Sequence, residues 1–183
     1  IWAVDETEYL GFLINNKGIK PTDKYKKKIL NCKRPKGKQD LLRFLGMVNW
    51  LHRFIDHLHE IISPLNKLTH KDVDFESAWS DEHTRAFEII KKYIEQPHYL
   101  YHPDPKKEFS LCCDASEKGI GGLLAQKQQD GSFVPVEYAS ALFNKTQQNW
   151  HVSEQEIYAV VHFCEKWRYL LMNDHFIIHS DHL

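Results

Sequence analysis

Three carboxylates in this 183-residue chain occupy positions from which acids do chemistry. Asp114 closes a run of small and apolar residues, Phe109-Ser110-Leu111-Cys112-Cys113, and Asp181 closes a second, Phe176-Ile177-Ile178-His179-Ser180. Glu156 lies near the start of a long amphipathic segment. A carboxylate that ends a buried strand is costly to desolvate without a cation or donor. Two strand-end aspartates and a helix-start glutamate are the oxygen donors that hard divalent ions take. Brought within ~5 Å of one another, such acids raise each other's pKa values unless a divalent ion neutralises them. Two Mg²⁺ ions ~4 Å apart activate a water and stabilise the leaving oxygen of a phosphodiester. Each acid also has a plain alternative. Glu156 follows Ser153 by three residues, the spacing of a helix capping box; Asp114 could open a turn; Asp181 could simply end its strand. Their order and the elements that carry them favour a metal cage.

Those elements form an α+β layout. In the second half, residues 109–114, 119–128 and 133–139 read as three antiparallel strands, with a turn at 130–132. The Gly119-Ile120-Gly121-Gly122 start of the second strand implies close packing. A helix over 153–172, carrying Ile157, Val160, Val161, Cys164, Trp167 and Leu171, leads to a fourth strand over 176–180. If the fourth strand lies parallel to the first, Asp114 and Asp181 become neighbours with Glu156 above them. In the first half, a strand over 8–15, a turn at 15–18 with Gly18 at positive φ, and a strand over 19–21 make a hairpin. Thr22 or Asp23 caps a helix to about residue 32. Leu41, Leu42, Leu45, Val48, Leu51 and Ile55 give a helix over 38–55 an apolar stripe. Gly46 in its middle costs about 1 kcal/mol relative to Ala, which suggests a close approach there. Ser63-Pro64 opens a short helix, Ser80 caps a longer one to residue 96, and a domain boundary falls in the connector at 97–105.

Net charge is −1, but it is unevenly spread. Residues 17–43 hold eleven bases against two acids, so this stretch is +9 and the remainder −10. A basic patch of that kind suits a chain that meets a polyanion with one face. The four cysteines show no metal-ligand spacing, and Cys112 and Cys113 point to opposite strand faces, so all four read as reduced. Twelve histidines form no zinc pattern with cysteine; His57 and His59 read as surface residues. No apolar run approaches membrane-spanning length. Both ends look cut, as in a piece of a longer polypeptide.

FSLCCDASEKGIGGLLAQ, VPVEYAS, SEQEIYAVVHFCEKWRYL and FIIHSDHL, in this order and spacing, resemble the ribonuclease H domain of gypsy-type LTR-retrotransposon and retroviral reverse transcriptases. The resemblance implies that Asp114, Glu156 (rather than Glu154) and Asp181 are catalytic and hold two Mg²⁺, or Mn²⁺. The Asp181-His182 pair is typical of the gypsy-type branch. Upstream, EYLGFLINNKGIKP resembles the strand pair that grips a primer end, with Tyr9, Leu10 and Gly11 at its turn. LLRFLGMVNWLHRFI resembles the thumb helix that tracks the minor groove of a template–primer duplex, and Trp79 with the Ser80 helix resembles the tether that follows. This implies sugar contacts at Gly46 and Trp50 and phosphate contacts from Lys38, Arg43 and Arg53. The spacing agrees, since Gly46 and Trp50 share a helix face one turn apart. The plain alternative is a core tryptophan and a solvated basic face.

The resemblance thus implies a Pol polyprotein segment: the end of the palm at 1–21, the thumb at 22–70, a helical tether at 71–105 and an incomplete ribonuclease H-like domain at 106–183. A fourth family carboxylate would fall beyond Leu183, and the polymerase aspartates before Ile1. The implied activity is hydrolysis of the RNA strand of RNA/DNA hybrids, with template–primer binding by the thumb. Implied partners are the hybrid, the template–primer duplex and other Pol domains (protease, polymerase palm and fingers, integrase), with no membrane. The implied location is a cytoplasmic virus-like particle or the nucleus. The rival readings are an inactive or domesticated nucleic-acid-binding module and a structural spacer.

Overall fold

A computed structural model describes residues 4–172 and 175–180. Its first sheet is antiparallel, in the order β1 (Glu6–Tyr9), β2 (Phe12–Asn15), β3 (Gly18–Pro21) and β4 (Leu100–Tyr101). The single strand expected over 8–15 is instead a hairpin. Leu10 and Gly11 take φ values of +49° and +84°, and a two-residue turn with both centres at positive φ matches strand twist. Gly18, by contrast, is not at positive φ. Its glycine serves close approach, because a Cβ there would overlap the Leu100 carbonyl of β4.

The helical layer holds α1 (Asp23–Leu30), α2 (Lys38–Asn49), α3 (Leu58–Lys67), α4 (Phe75–Ala78) and α5 (Asp81–Glu95). Thr22 caps α1 by accepting the Tyr25 N–H at 3.2 Å. The helix expected to run to residue 55 stops at Asn49, and a 3-10 turn at His52–Phe54 follows. Leu51, Phe54 and Ile55 are each at most 1% exposed, and a straight helix cannot bury all three on the face already used by Leu41, Leu45 and Val48. The helix expected to open at Ser63-Pro64 begins five residues earlier, with Pro64 inside it. Burial of Leu58, Ile62 and Leu65 sets its start. Ser80 is the N-cap of α5, as expected.

The second sheet has the order β7-β6-β5-β8, built from β5 (Phe109–Ala115), β6 (Gly119–Lys127), β7 (Phe133–Leu142) and β8 (Phe176–His179). β5, β6 and β7 pair antiparallel, and β8 pairs parallel to β5 with His179 opposite Cys112. α6 (Val152–Lys166) and α7 (Arg168–Leu171) make the crossover, so the expected single helix over 153–172 breaks at Trp167. Ile157 and Val161 are about half exposed, and the inward face is Glu156, Ala159, Phe163 and Trp167.

Two apolar cores result. One fills the helical layer, and Tyr138 and Leu123 of the second sheet also pack into it. The other lies between the opposite face of that sheet (Phe109, Leu111, Cys113, Ile120, Leu124) and Ala159, Phe163, Trp167 and Leu171. The second sheet is therefore sandwiched. Polar ties reinforce the layer contact, with Arg53 on Glu137 at 2.8 Å and the His59 N–H on Ser140 Oγ at 3.0 Å. Among the described residues no helix is long and apolar enough to cross a membrane.

Candidate active site

Side-chain alternation along β5 sorts the two described carboxylates. Leu111 and Cys113 point to α6, while Cys112 and Asp114 point to the helical layer. Asp114 is 56% exposed at the strand end. Glu156 comes from the other side of the sheet, on the first turns of α6, and is 1% exposed. Its Oε1 accepts the N–H of Ala115 at 3.3 Å, so the two acids meet through one backbone step at the end of β5.

The helix start shows which glutamate caps. His151 is the N-cap of α6, and Glu154 Oε2 accepts the His151 N–H at 2.9 Å. The capping role weighed for Glu156 with Ser153 falls to Glu154 with His151. Two residues further along the helix, Glu156 turns inward instead.

A shallow cleft of about 320 Å³ opens beside Asp114, lined by Cys113, Asp114, His179 and Ser180. Oxygen donors at its rim suit a hard cation, and its openness leaves room for the waters Mg²⁺ retains. Among the described residues no three metal-ligating side chains cluster. Asp181, the third expected ligand, lies outside the described residues, as does His182. Cys113 on the α6 side carries a thiol pushed up to about 12, chiefly by burial and then by neighbouring Cys164, Cys112 and Glu156. All four cysteines are free.

The expected nucleic-acid residues divide. Trp50 is 43% exposed, not core. It stacks on Phe12 at 5.6 Å between centroids and 17° between planes, and its Nε1–H donates to the Leu10 carbonyl at 3.2 Å. The indole is thus fixed before any ligand arrives, and the strained Leu10 turn is held by the same bond. Gly46 is exposed, and a Cβ there would meet nothing within 4 Å, so packing within the protein does not demand glycine. Tyr9 is 62% exposed at the hairpin tip, and Gly11 packs against Tyr25. Arg43 is exposed, with Asp40 3.4 Å away. Lys38 is different: its ammonium donates to the carbonyls of His70 and Lys71 at 2.7 and 2.9 Å. Arg53 likewise turns to Glu137 in the second sheet.

His57 and His59, expected at the surface, lie in the seam between the helical layer and the second sheet. His59 Nδ1 is 2.9 Å from Ser140 Oγ, and burial lowers its pKa. His57 stands 3.8 Å from Asp114. Nothing in helical periodicity marks these contacts. The one signal was the Gly119–Gly122 run, read as close packing: a Cβ on Gly121 would overlap the His57 ring, and one on Gly122 would come 2.7 Å from the Phe163 ring.

A mixed sheet of three antiparallel strands with β8 added parallel to β5 at its edge, a crossover helix and two acids at the end of β5 define an RNase H-like domain. Residues 79–178, more than half of the chain, match the family described as "RNase H-like domain found in reverse transcriptase", and the chain belongs to that family. It is 36% identical over 179 residues to the Transposon Tf2-3 polyprotein of Schizosaccharomyces pombe, a match that takes in 97% of this chain and 13% of that polyprotein. Among solved structures it is similar to a foamy viral protease-reverse transcriptase in complex with RNA/DNA hybrid, at TM-score 0.75 and 26% identity over 95% of this chain and 23% of the other. It is similar, too, to a foamy viral protease-reverse transcriptase in complex with dsDNA, at TM-score 0.79 and 26% identity over 94% of this chain and 36% of the other.

Proposed function

We propose that this chain is the thumb, tether and ribonuclease H-like portion of a gypsy-type retroelement reverse transcriptase, and that it cleaves the RNA strand of an RNA/DNA hybrid. The observation that carries this reading is the buried Glu156 carboxylate, bonded to the backbone one residue past Asp114. A capping or surface glutamate has no reason to be there. Asp181 is the proposed third acid: it follows His179 by two residues, as Asp114 follows Cys112, and His179 and Cys112 are register partners.

Asp114, Glu156 and Asp181 would hold two Mg²⁺. Bound there, the ions supply a nucleophilic water and charge stabilisation at the leaving oxygen. The protein's own part is positional. Glu156 is fixed by its backbone bond, and Asp114 stays open to the cleft where the scissile phosphate must enter. The 2′-hydroxyl distinguishes the RNA strand.

The duplex face follows the same division of labour. The proposed segments are the end of the palm at 1–21, the thumb at 22–70, the tether at 71–105 and the nuclease at 106–183. Trp50 would pack on sugar where Gly46 lets the helix approach, and Arg43 would reach phosphate, a contact weakened by salt. Lys38 and Arg53 have intramolecular partners and serve the fold in this reading.

Asp114→Asn in the full-length protein should abolish cleavage of an RNA/DNA hybrid while duplex affinity stays unchanged. Intact cleavage by that variant would end the nuclease reading. The runner-up, a binding module that cuts nothing, is favoured by the preorganised indole alone. It predicts salt-dependent duplex binding by a wild-type protein with no Mg²⁺-dependent cleavage.

A further inference from the structure

One side-chain cluster is used neither by the duplex face nor by the carboxylate site, although it touches the latter. His57 precedes α3 with φ at +48°, a conformation that a non-glycine residue keeps only when its surroundings hold it. The ring rests on Gly121, the register partner of Asp114 in β6. Its Nε2 lies 3.8 Å from Asp114 Oδ2 and 3.6 Å from Asp56 Oδ1, and its Nδ1 lies 3.5 Å from Glu60 Oε1. Glu60 Oε1 also accepts the Ser116 hydroxyl at 2.7 Å. Ser116 Oγ in turn accepts the N–H groups of Lys118 and Gly119, each at 3.1 Å. The turn after β5 is therefore tied to the helical layer through Ser116 and to α6 through Ala115.

We propose that His57 and Glu60 are positioning residues for Asp114. Carried by the helical layer, they hold the end of β5 so that its carboxylate points into the cleft. The proposal rests on the reading of Asp114 as a cleaving carboxylate.

The test uses the full-length reverse transcriptase that carries this chain, with Asp114→Asn as reference. His57→Ala should lower kcat for hybrid cleavage about tenfold and raise the half-saturating Mg²⁺ concentration by a similar factor, the usual scale for a partner that orients a ligand. The same Mg²⁺ shift should appear, without turnover, in the metal-induced rise in melting temperature. KM for hybrid should stay within about twofold. Glu60→Ala and Ser116→Ala should move both quantities in the same direction, and Glu60→Gln, which keeps an acceptor oxygen for Ser116, should restore most of the loss. If His57→Ala does not fold, Ser116→Ala, which removes one hydroxyl, carries the test. Unchanged kcat and Mg²⁺ dependence, beside a dead Asp114→Asn, would overturn the positioning role and leave the nuclease reading standing. A lower kcat with unaltered Mg²⁺ dependence overturns it too, because a merely structural role reduces the folded fraction and not the metal affinity. Cleavage by Asp114→Asn would instead remove the reading on which the proposal rests.

Discussion

Two glycines show how differently the halves of this molecule are built. Gly46 lies on an exposed helix face with open space where a Cβ would go, and Gly122 lies in the second sheet with its missing Cβ 2.7 Å from the Phe163 ring. Among the described residues nothing packs where a Cβ on the first would go, and in the proposed reading that face meets the duplex. The second is explained wholly by packing. The acids and bases follow the same contrast. On the helical half, residues of the basic stretch such as Lys24, Lys27, Lys28, Lys33 and Lys36 are exposed, and contacts there would add up gradually. On the second half the proposed chemistry would rest on a few atoms around Ala115, where one displaced side chain would change it.

The sharpest way to break that contrast is Glu156→Gln beside Glu154→Gln. Loss of the Glu156 charge, with shape kept, should cut hybrid cleavage by more than about a hundredfold, beyond the effect expected of an orienting partner. Glu154→Gln should leave turnover alone and cost at most about 1 kcal/mol of stability through the helix cap. Equal effects on turnover would remove the distinction between the two glutamates.

Next in size is the glycine pair. Gly122→Ala should destabilise by about 1–3 kcal/mol through overpacking against Phe163. Gly46→Ala should stabilise the free protein by up to about 1 kcal/mol, since alanine is the better helix former and nothing obstructs it. Chemical denaturation of both variants decides the matter, and the added methyl at Gly46 should weaken duplex binding even as it raises stability.

Trp50→Ala should lower duplex affinity about tenfold, near 1.4 kcal/mol, with cleavage at saturating hybrid reduced less than binding. Arg43→Gln should be milder still. It should reduce the slope of log affinity against log salt by about one, the signature of a single phosphate contact. The smallest effect is chemical. With its pKa pushed up to about 12, Cys113 holds almost no thiolate at pH 8 and should escape alkylation in the folded state, then label fully in denaturant. Mass spectrometry of the native protein reads this directly.

The α+β layout and its strand order were legible because alternation and turn signals along β5–β8 are local. Asp114 and Glu156 were singled out by equally local signals, one ending an apolar run and the other near the start of a long helix, while the choice of Glu156 over Glu154 came from the family resemblance. Less legible were the places where burial overrode local grammar. Ser63-Pro64 looks like a helix start, yet Leu58 and Ile62 pull the helix earlier. Glu8 to Asn15 looks like one strand, yet two successive positive φ values fold it back. Lys38 and Arg53, expected at phosphates, have bonds to groups 32 or more positions away in the chain, which no local signal marks. His57 had no sequence signal of its own, because the residues it touches belong to a different layer.

By itself the sequence determined which residue types were available and on what local elements: an acid at a strand end, a glutamate two residues, about half a helical turn, from a capping one, glycines where backbones crowd, and a basic run set apart from an acidic remainder. Tertiary structure alone decided that Glu156 bonds the Ala115 backbone and which histidine meets Asp114. Those choices depend on how two layers stack, and stacking is fixed by the summed burial of some thirty side chains spread over the chain, a quantity that no short window of sequence contains.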